Sequence, residues 1–403
     1  MGAGSVLKIA LASQSKPSFI GNFIKAVAGR QCRSVVFLWM LTLNIGIVLP
    51  ATASLPVEPY VKTTLAEGLN SPWSAVVTPQ GEWLVTERDG HVVIATSPSD
   101  QRRVKLTLNN LYVAGQGGLL DIVLSPSFTQ TQEVFISFAQ GDSSANRLVV
   151  AKMKYDGNTF TQPKEVFAVS PDKSTPVHYA GRLLFLPDAS LLVASGDGFD
   201  YREKAQVREN QLGKILRINQ DGSVPTDNPF TEREGQGAHA VYTYGHRNPQ
   251  GLILDTDANR IYSHEHGPAG GDELNQLHPG VNYGWPVVTL GKDYSGARIS
   301  PFTAYGGMQN PLVNWTPSIA PSGMAYYANV HSQFPSLQGH ALVTTLVDKA
   351  LYAIHLANGQ FSQRKAFSDI SGRLRDVIVS PRGEVAVLKD GAQASLILLT
   401  SEN

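Results

Sequence analysis

The sequence predicts an all-β protein, a six-bladed β-propeller of four-stranded antiparallel blades. Three observations lead there. The chain of 403 residues carries 37 Gly and 24 Pro but only 16% charged residues, a turn-rich balance unlike that of helical proteins. Short apolar runs recur, each bounded by Pro, Asp or Gly, as strands are. These runs group into six similar units at irregular spacings of about 40 to 75 residues, the mark of a repeat architecture.

The first unit is "WSAVVTPQGEWLVTERDGHVVIAT" (73–96), which reads strand, Pro/Gly turn, strand, Asp/Gly turn, strand. "LLDIVLSPSFTQTQEVFISFAQ" (119–140) with "RLVVAKMKYDG" forms the second, and "GRLLFLPDASLLVASGDG" (181–198) with "GKILRINQDG" the third. "GLILDTDANRIYSHEHG" (251–267), "SGMAYYANVHSQFPSLQGHALVTTLVDKALYAIHLANG" (322–359) and "LRDVIVSPRGEVAVLKDGAQASLILL" (374–399) complete the set. A pair of β-sandwiches is the competing arrangement, but six similar units favour blades around a channel. In that geometry residues distant in sequence converge at one mouth of the ring.

The N-terminal segment has a different character. Residues 1–53 hold Lys8, Lys16, Lys25, Arg30 and Arg33 and no acidic residue, while the whole chain has a formal net charge of zero. The apolar run in "SVVFLWMLTLNIGIVLPATA" (34–53) ends in the small-residue triplet Ala51-Thr52-Ala53. That pattern is a signal peptide, cleaved after Ala53. The alternative is an uncleaved anchor, for which the run is short, and the long basic region before it leaves room for an internal start codon. The expected mature protein, residues 54–403, is a single propeller domain, periplasmic or secreted, with no membrane span. It is mildly acidic, which excludes the basic patch of a nucleic-acid binder. The one cysteine, Cys32, lies in the leader, so the exported protein needs no disulfide. A monomer is the expected state.

Several stretches carry chemistry rather than strand pattern. In "YGHRNPQG" (244–251), Arg247 and Asn248 offer a cation and an amide beside a stiffening Pro, suited to an oxygen that gains charge. A turn whose Arg and Asn serve nearby carbonyls is the plain reading. "HEHGPAGGDELN" (264–275) allows two metals. His264 and His266 share one side of a strand and could bind zinc, although no third ligand stands at zinc spacing. Carbonyls of Gly267 and Pro268, with the carboxylates of Asp272 and Glu273, suit Ca²⁺ instead.

His178 precedes one strand and Asp197 follows the next strand of the same hairpin, so the two ends return to one edge. A carboxylate on an imidazole fixes its tautomer and makes a general base. Arg373 and Arg375 in "GRLRDV" are two apart in a strand-like run and present two guanidinium groups on one face, suited to a ligand with several carboxylates or to solvent. Gln116, between glycines in "GQGGLLD", is an amide a small ligand can approach closely.

Eight of these stretches, in order, resemble the soluble pyrroloquinoline quinone (PQQ)-dependent glucose/sorbosone dehydrogenase family of six-bladed aldose sugar dehydrogenases. They are "GQGGLLD", "HYAGRL", "GKILRINQDGSVPTDNPF", "YGHRNPQG", "EHGPAGGDELN", "NYGWP", "WTPSIAPSGM" and "GRLRDV", and the resemblance runs from about residue 60 to the C-terminus. "GGDELN" and "PSIAPSGM" resemble the aldose-type enzymes more than the dimeric glucose dehydrogenases.

The resemblance implies oxidation of aldoses at the anomeric carbon to lactones, with hydride passing to PQQ and electrons to an external acceptor. His178 matches the general base, Asp197 its support and Arg247 the cation that stabilises the oxyanion. Gln116 and Asn248 match neighbours of the cofactor. Leu290 and the segment Thr316, Pro317, Ser318, Ile319 and Ala320 match walls of the pocket, and Arg373 and Arg375 its carboxylate clamp. One Ca²⁺ would be held by backbone carbonyls of Gly267 and Pro268. A second would use the Glu273 carboxylate and main-chain oxygens near Tyr283, Lys292 and Tyr294.

The pattern departs from the family at Val347, where relatives commonly carry a PQQ-contacting Lys; Lys349 would share its face on a strand. That departure keeps open a propeller that has lost catalysis and binds a sugar or a partner. A Ca²⁺-dependent lactonase is the other alternative.

Overall fold

The computed structural model describes residues 54–402, apart from 233, 234, 357, 358 and 360. The leader assigned to residues 1–53, with Cys32, lies outside the described residues. Strand β1 (Tyr60–Asn70) comes first and is set aside for the last blade. The first blade is β2 (Pro72–Val77), β3 (Trp83–Glu87), β4 (His91–Ser97) and β5 (Asp100–Lys105). The second is β6 (Leu119–Leu124), β7 (Glu133–Gly141), β8 (Asn146–Tyr155) and β9 (Phe160–Ala168). The third is β10 (Ala180–Phe185), β11 (Leu191–Ser195), β12 (Lys214–Ile218) and β13 (Val241–Tyr244). The fourth is β14 (Pro249–Asp255), β15 (Arg260–Glu265), β16 (Asp272–Leu277) and β17 (Val313–Trp315). The fifth is β18 (Pro321–Tyr327), β19 (His340–Thr345), β20 (Leu351–His355) and β21 (Gln363–Ala366). The sixth is β22 (Leu374–Val379), β23 (Val385–Lys389) and β24 (Ala392–Ser401), completed by β1.

Every blade is thus a four-stranded antiparallel sheet. The first strands of the blades touch their neighbours in a closed ring: β2, β6, β10, β14, β18, β22 and back to β2. This is a six-bladed β-propeller, as the repeats predict. The sequence pattern did not reveal the closure. β1 pairs antiparallel with β24, so a strand from the start of the chain seals the last blade and protects its edge.

The turn chemistry explains the repeats. In the first blade Pro79 fills the second turn position, and Gly81 N–H donates to the Thr78 carbonyl at 2.9 Å. In the sixth, Pro381 does the same, with Gly383 donating to Ser380 at 2.8 Å. Gly81 and Gly383 take φ of 92° and 82°, conformations that glycine adopts without strain. Inner strands such as β3, β11 and β12 are buried along their whole length. They therefore lack the alternation of a half-exposed strand, and even Glu87, Lys214 and Arg217 on them are buried. The core is divided: six apolar clusters among the described residues each lie between two adjacent blades.

At the centre one side chain joins all six blades. Arg182, on β10, donates to the Gln250 carbonyl (3.0 Å) and the Ser322 carbonyl (3.3 Å), and to Ser74 Oγ (3.4 Å). It also pairs with Asp121 (3.4 Å) and Asp376 (3.2 Å). These partners belong to the first strands of the other five blades.

Candidate active site

Loops that enter the first strand of a blade and loops that leave its second strand open on one face of the ring. Gln116, His178, Asn248, Ala320 and Arg373 lie in or next to the former. Asp197, His266, Val347 and Asp390 lie just beyond second strands. The topology therefore gathers most of the sequence-selected residues at one mouth.

His178 stands two residues before β10 and Asp197 two residues after β11, and Ala180 pairs with Ser195 across that hairpin. The result is a contact of 2.7 Å between Nδ1 of His178 and Oδ1 of Asp197, both buried. The approach needs a glycine at 196, where a Cβ would stand 2.2 Å from the His178 carbonyl oxygen. His178 takes φ of 53°, an uncommon conformation for a side chain-bearing residue. Its backbone N–H donates to Gln116 Oε1 at 2.8 Å. Trp285 Nε1 donates to the other oxygen of Asp197 at 2.7 Å, so the carboxylate is held at both ends. Burial lowers the His178 pKa, with Arg247 and Lys173 acting the same way, while Asp197 opposes them. That direction favours the neutral imidazole, the form able to accept a proton.

Arg247 is fixed in place by the adjoining blade. Its guanidinium donates to the carbonyls of His266 (3.1 Å) and Gly267 (2.5 Å), and its backbone N–H donates to Glu265. The Asp197 N–H in turn donates to the Arg247 carbonyl at 2.8 Å. Base and cation thus share one hydrogen-bonded frame. Asn248 Oδ1 accepts from Ala180 N–H at 3.2 Å.

The mouth opens into a cleft with about 650 Å³ of empty space, part of it open to solvent, lined by residues that include Trp73, Arg88, Gln116, Asn248, His266 and Arg375. Arg373 also lines it. The two arginines expected from "GRLRDV" both reach Asp390: Arg373 Nε at 2.8 Å and Arg375 Nε at 3.0 Å. Burial alone would raise the Asp390 pKa, but the two arginines outweigh it and hold the carboxyl below its usual range. Arg88, which donates to the Gly115 and Gly117 carbonyls, adds a third guanidinium to the lining, so these arginines outnumber the Asp390 carboxylate. That charge suits a ligand with several carboxylates.

Leu290 and residues 316–320 lie outside that lining. The segment is tied to Asp272 instead, whose Oδ2 accepts from Ser318 Oγ (2.6 Å), Ile319 N (3.0 Å) and Ala320 N (2.9 Å). Lys349 does not share a strand face with Val347. β19 ends at Thr345, residues 346–348 form a bend, and Lys349 is left-handed at φ 56°, so the period-two argument fails there.

The histidine pair also divides. His264 ends up against Gly251 inside the blade, and His266 Nε2 donates to the Pro321 carbonyl at 2.8 Å. Among the described residues the one three-ligand cluster is Glu87, Asp89 and His91, and Glu87 there is neutralised by Arg103 at 2.6 Å. Glu273, by contrast, lines a small cavity with Glu265, Gly267 and Thr289. Burial, then Glu265, pushes its pKa up to about 8. Two carboxyls beside a backbone carbonyl supply oxygen donors of the kind a hard cation takes, although Arg247 lines the same cavity and already donates to the Gly267 carbonyl. Lys292 exchanges backbone hydrogen bonds with Ala269 next to this loop, and Tyr283 stacks on His246, which binds Glu265.

Arg88, Trp285, Asp390 and Arg182 escaped the sequence reading. A comparison of unit ends contained a signal for two of them. "ERDG", "SGDG" and "LKDG" each put charge and glycine at the end of a second strand, where Arg88, Asp197 and Asp390 sit.

Fold and site together define a propeller dehydrogenase whose mouth joins a carboxylate-held imidazole to an arginine-lined cleft. The chain belongs to the glucose/sorbosone dehydrogenase family of sugar oxidoreductases, whose model matches residues 69–398. It is 38% identical over 364 residues to the uncharacterized protein slr1608 of Synechocystis, covering 85% of this chain and 87% of that one. It is 32% identical over 361 residues to the aldose sugar dehydrogenase YliI of Escherichia coli, covering 88% and 94%. The PQQ-bound aldose sugar dehydrogenase of Streptomyces coelicolor superposes with a TM-score of 0.68 at 29% identity, over 85% of this chain and 99% of that one.

Proposed function

We propose that the protein oxidises aldoses at the anomeric carbon to lactones, using PQQ and Ca²⁺, and passes the electrons to an external acceptor. The observation that carries this is the 2.7 Å contact of His178 with Asp197; neither lines the arginine-bearing cleft itself, but Gln116, which accepts from the His178 N–H, and the adjoining Tyr179 do. The PQQ-bound relative supports the cofactor. No helix among the described residues is long and apolar enough to cross a membrane. The export signal read in residues 34–53 supports a periplasmic or secreted location.

PQQ, when bound, supplies a two-electron acceptor for the hydride from C1 of the sugar, and Ca²⁺ polarises it. His178 takes the proton of the anomeric hydroxyl on Nε2, since Asp197 keeps the other ring nitrogen protonated. As that proton leaves and the C1 hydrogen departs with its electron pair, the C1–O bond becomes the lactone carbonyl. Arg247, fixed by the carbonyls of residues 266 and 267, meets developing negative charge without reorganising. Arg373, Arg375 and Arg88 would bind carboxylates of the cofactor. Gly267, Pro268 and Glu273 would hold cations.

A lactonase would need a channel cation on side-chain carboxylates. Asp121 and Asp376 are present in the channel, but Arg182 already neutralises them, which disfavours that reading. The test is direct: purified protein reconstituted with PQQ and Ca²⁺ should reduce an artificial electron acceptor when given aldoses. No turnover across a broad panel of aldoses would overturn the proposal.

A further inference from the structure

We infer that Phe199 and Tyr294 form an aromatic wall on which the saccharide ring packs while its anomeric hydroxyl lies at His178, an inference that rests on the aldose reading above. Phe199 belongs to the loop leaving β11, and Tyr294 to the excursion between β16 and β17, so two blades contribute. Both rings are large and open to solvent, 43% and 66% exposed. An exposed aromatic is informative only when its neighbours give it a task, and here they do.

The Phe199 ring meets His178 edge-on with centroids 5.2 Å apart. Phe199 and Tyr294 lie nearly parallel, 18° between planes and 6.4 Å between centroids. Tyr294 then reaches Arg247, its hydroxyl 3.5 Å from the guanidinium and its ring 5.9 Å from Cζ. The wall therefore runs without interruption from the proposed base to the proposed oxyanion cation.

It is also built to stay exposed. Phe199 adopts φ of 69°, in the left-handed region that costs a side chain-bearing residue, and its N–H is held by Asp197 Oδ1 at 2.7 Å. The carboxylate that orients His178 thus also orients the aromatic ring. The two loops are tied beside the wall by Arg202 and Asp293, 3.8 Å apart. A strained backbone that keeps an apolar ring in water suits a ligand with an apolar face and polar edges. The axial C–H face of a pyranose has that chemistry. Tyr294, the more exposed ring, extends the wall beyond one sugar, so reducing disaccharides fit as well as monosaccharides.

The test uses Phe199→Ala, Tyr294→Ala and Tyr294→Phe in the full chain. KM for aldopyranoses should rise about tenfold in each alanine variant while kcat moves little, and Tyr294→Phe, which keeps the ring, should bring KM back toward the wild-type value. A second readout needs no cofactor: saturation-transfer NMR with maltose, irradiating aromatic protons, should show transfer to sugar C–H protons that Tyr294→Ala removes. Because Tyr294 is mostly exposed, that variant also guards against loss of folding, checked by an unchanged Tm. Wild-type turnover with KM unchanged in both alanine variants overturns the wall and leaves the dehydrogenase reading standing. Neither saccharide binding nor turnover by wild type overturns both.

Discussion

Nδ1 of His178 and Oδ1 of Asp197 stand 2.7 Å apart, and the opposite carboxylate oxygen accepts from Trp285, 88 residues further on. A base held this firmly in a buried site has a defined pH signature. Burial places the His178 pKa below its ordinary value, with Asp197 opposing. The reaction needs the neutral ring, so activity should persist below about pH 6.5, the usual histidine midpoint. It should be lost only as pH falls through the lowered pKa. The acid limb of the kcat/KM profile checks this. Asp197→Asn should reduce kcat roughly 10²- to 10⁴-fold, the span attached to a positioned base.

Arg375 is mostly buried against Asp390, whereas Arg373 is half exposed. Losing a charge-assisted contact costs about 1.5–3 kcal/mol, or roughly 10- to 100-fold in affinity. Arg375→Ala should weaken PQQ binding by that amount, and Arg373→Ala by less because solvent screens it. Absorbance titration measures both.

Val347 is 60% exposed, and its N–H binds the Ile319 carbonyl at the rim of the mouth. A lysine there would add a cation without filling a packed core. Val347→Lys should therefore tighten PQQ binding, by up to about tenfold for one solvent-facing charged contact. The same titration reads it.

Glu273 gathers with Glu265 in a cavity that also exposes the Gly267 loop. A cation that binds only the folded state stabilises by mass action, about 2.7 kcal/mol at a hundredfold excess over Kd. Calcium should raise Tm and a chelator lower it. Glu273→Gln should remove most of that difference in a thermal-shift assay.

Arg182 pairs with Asp121 and Asp376 at the ring axis. Arg182→Met would leave two buried carboxyls without their cation, which costs about 3–5 kcal/mol for a broken buried pair. Urea unfolding should show that loss. Arg182→Lys should recover only part, because an ammonium cannot reach five blades with one planar fork.

Much of the fold was legible because blades are local. Each uses strands adjacent in sequence, and each first turn repeats its own chemistry, as Thr78-Pro79-Gln80-Gly81 and Ser380-Pro381-Arg382-Gly383 do. His178 and Asp197 could be paired on paper for the same reason, since one hairpin joins them.

Other features depend on contacts between blades, and sequence periodicity carries no record of these. β1 seals the ring against β24 across more than 320 residues, a pairing that only ring closure makes necessary. Asp197 meets Trp285, Arg88 joins Arg375 in one cleft, and Phe199 faces Tyr294 because inter-blade packing brings separate loops to a common mouth. The amino-acid order determined strands, turns and the residue types available for chemistry, since these follow from local backbone preference and side-chain pattern. Tertiary structure alone decided which of those residues share a site, because the distances among them are set by how six sheets close on Arg182.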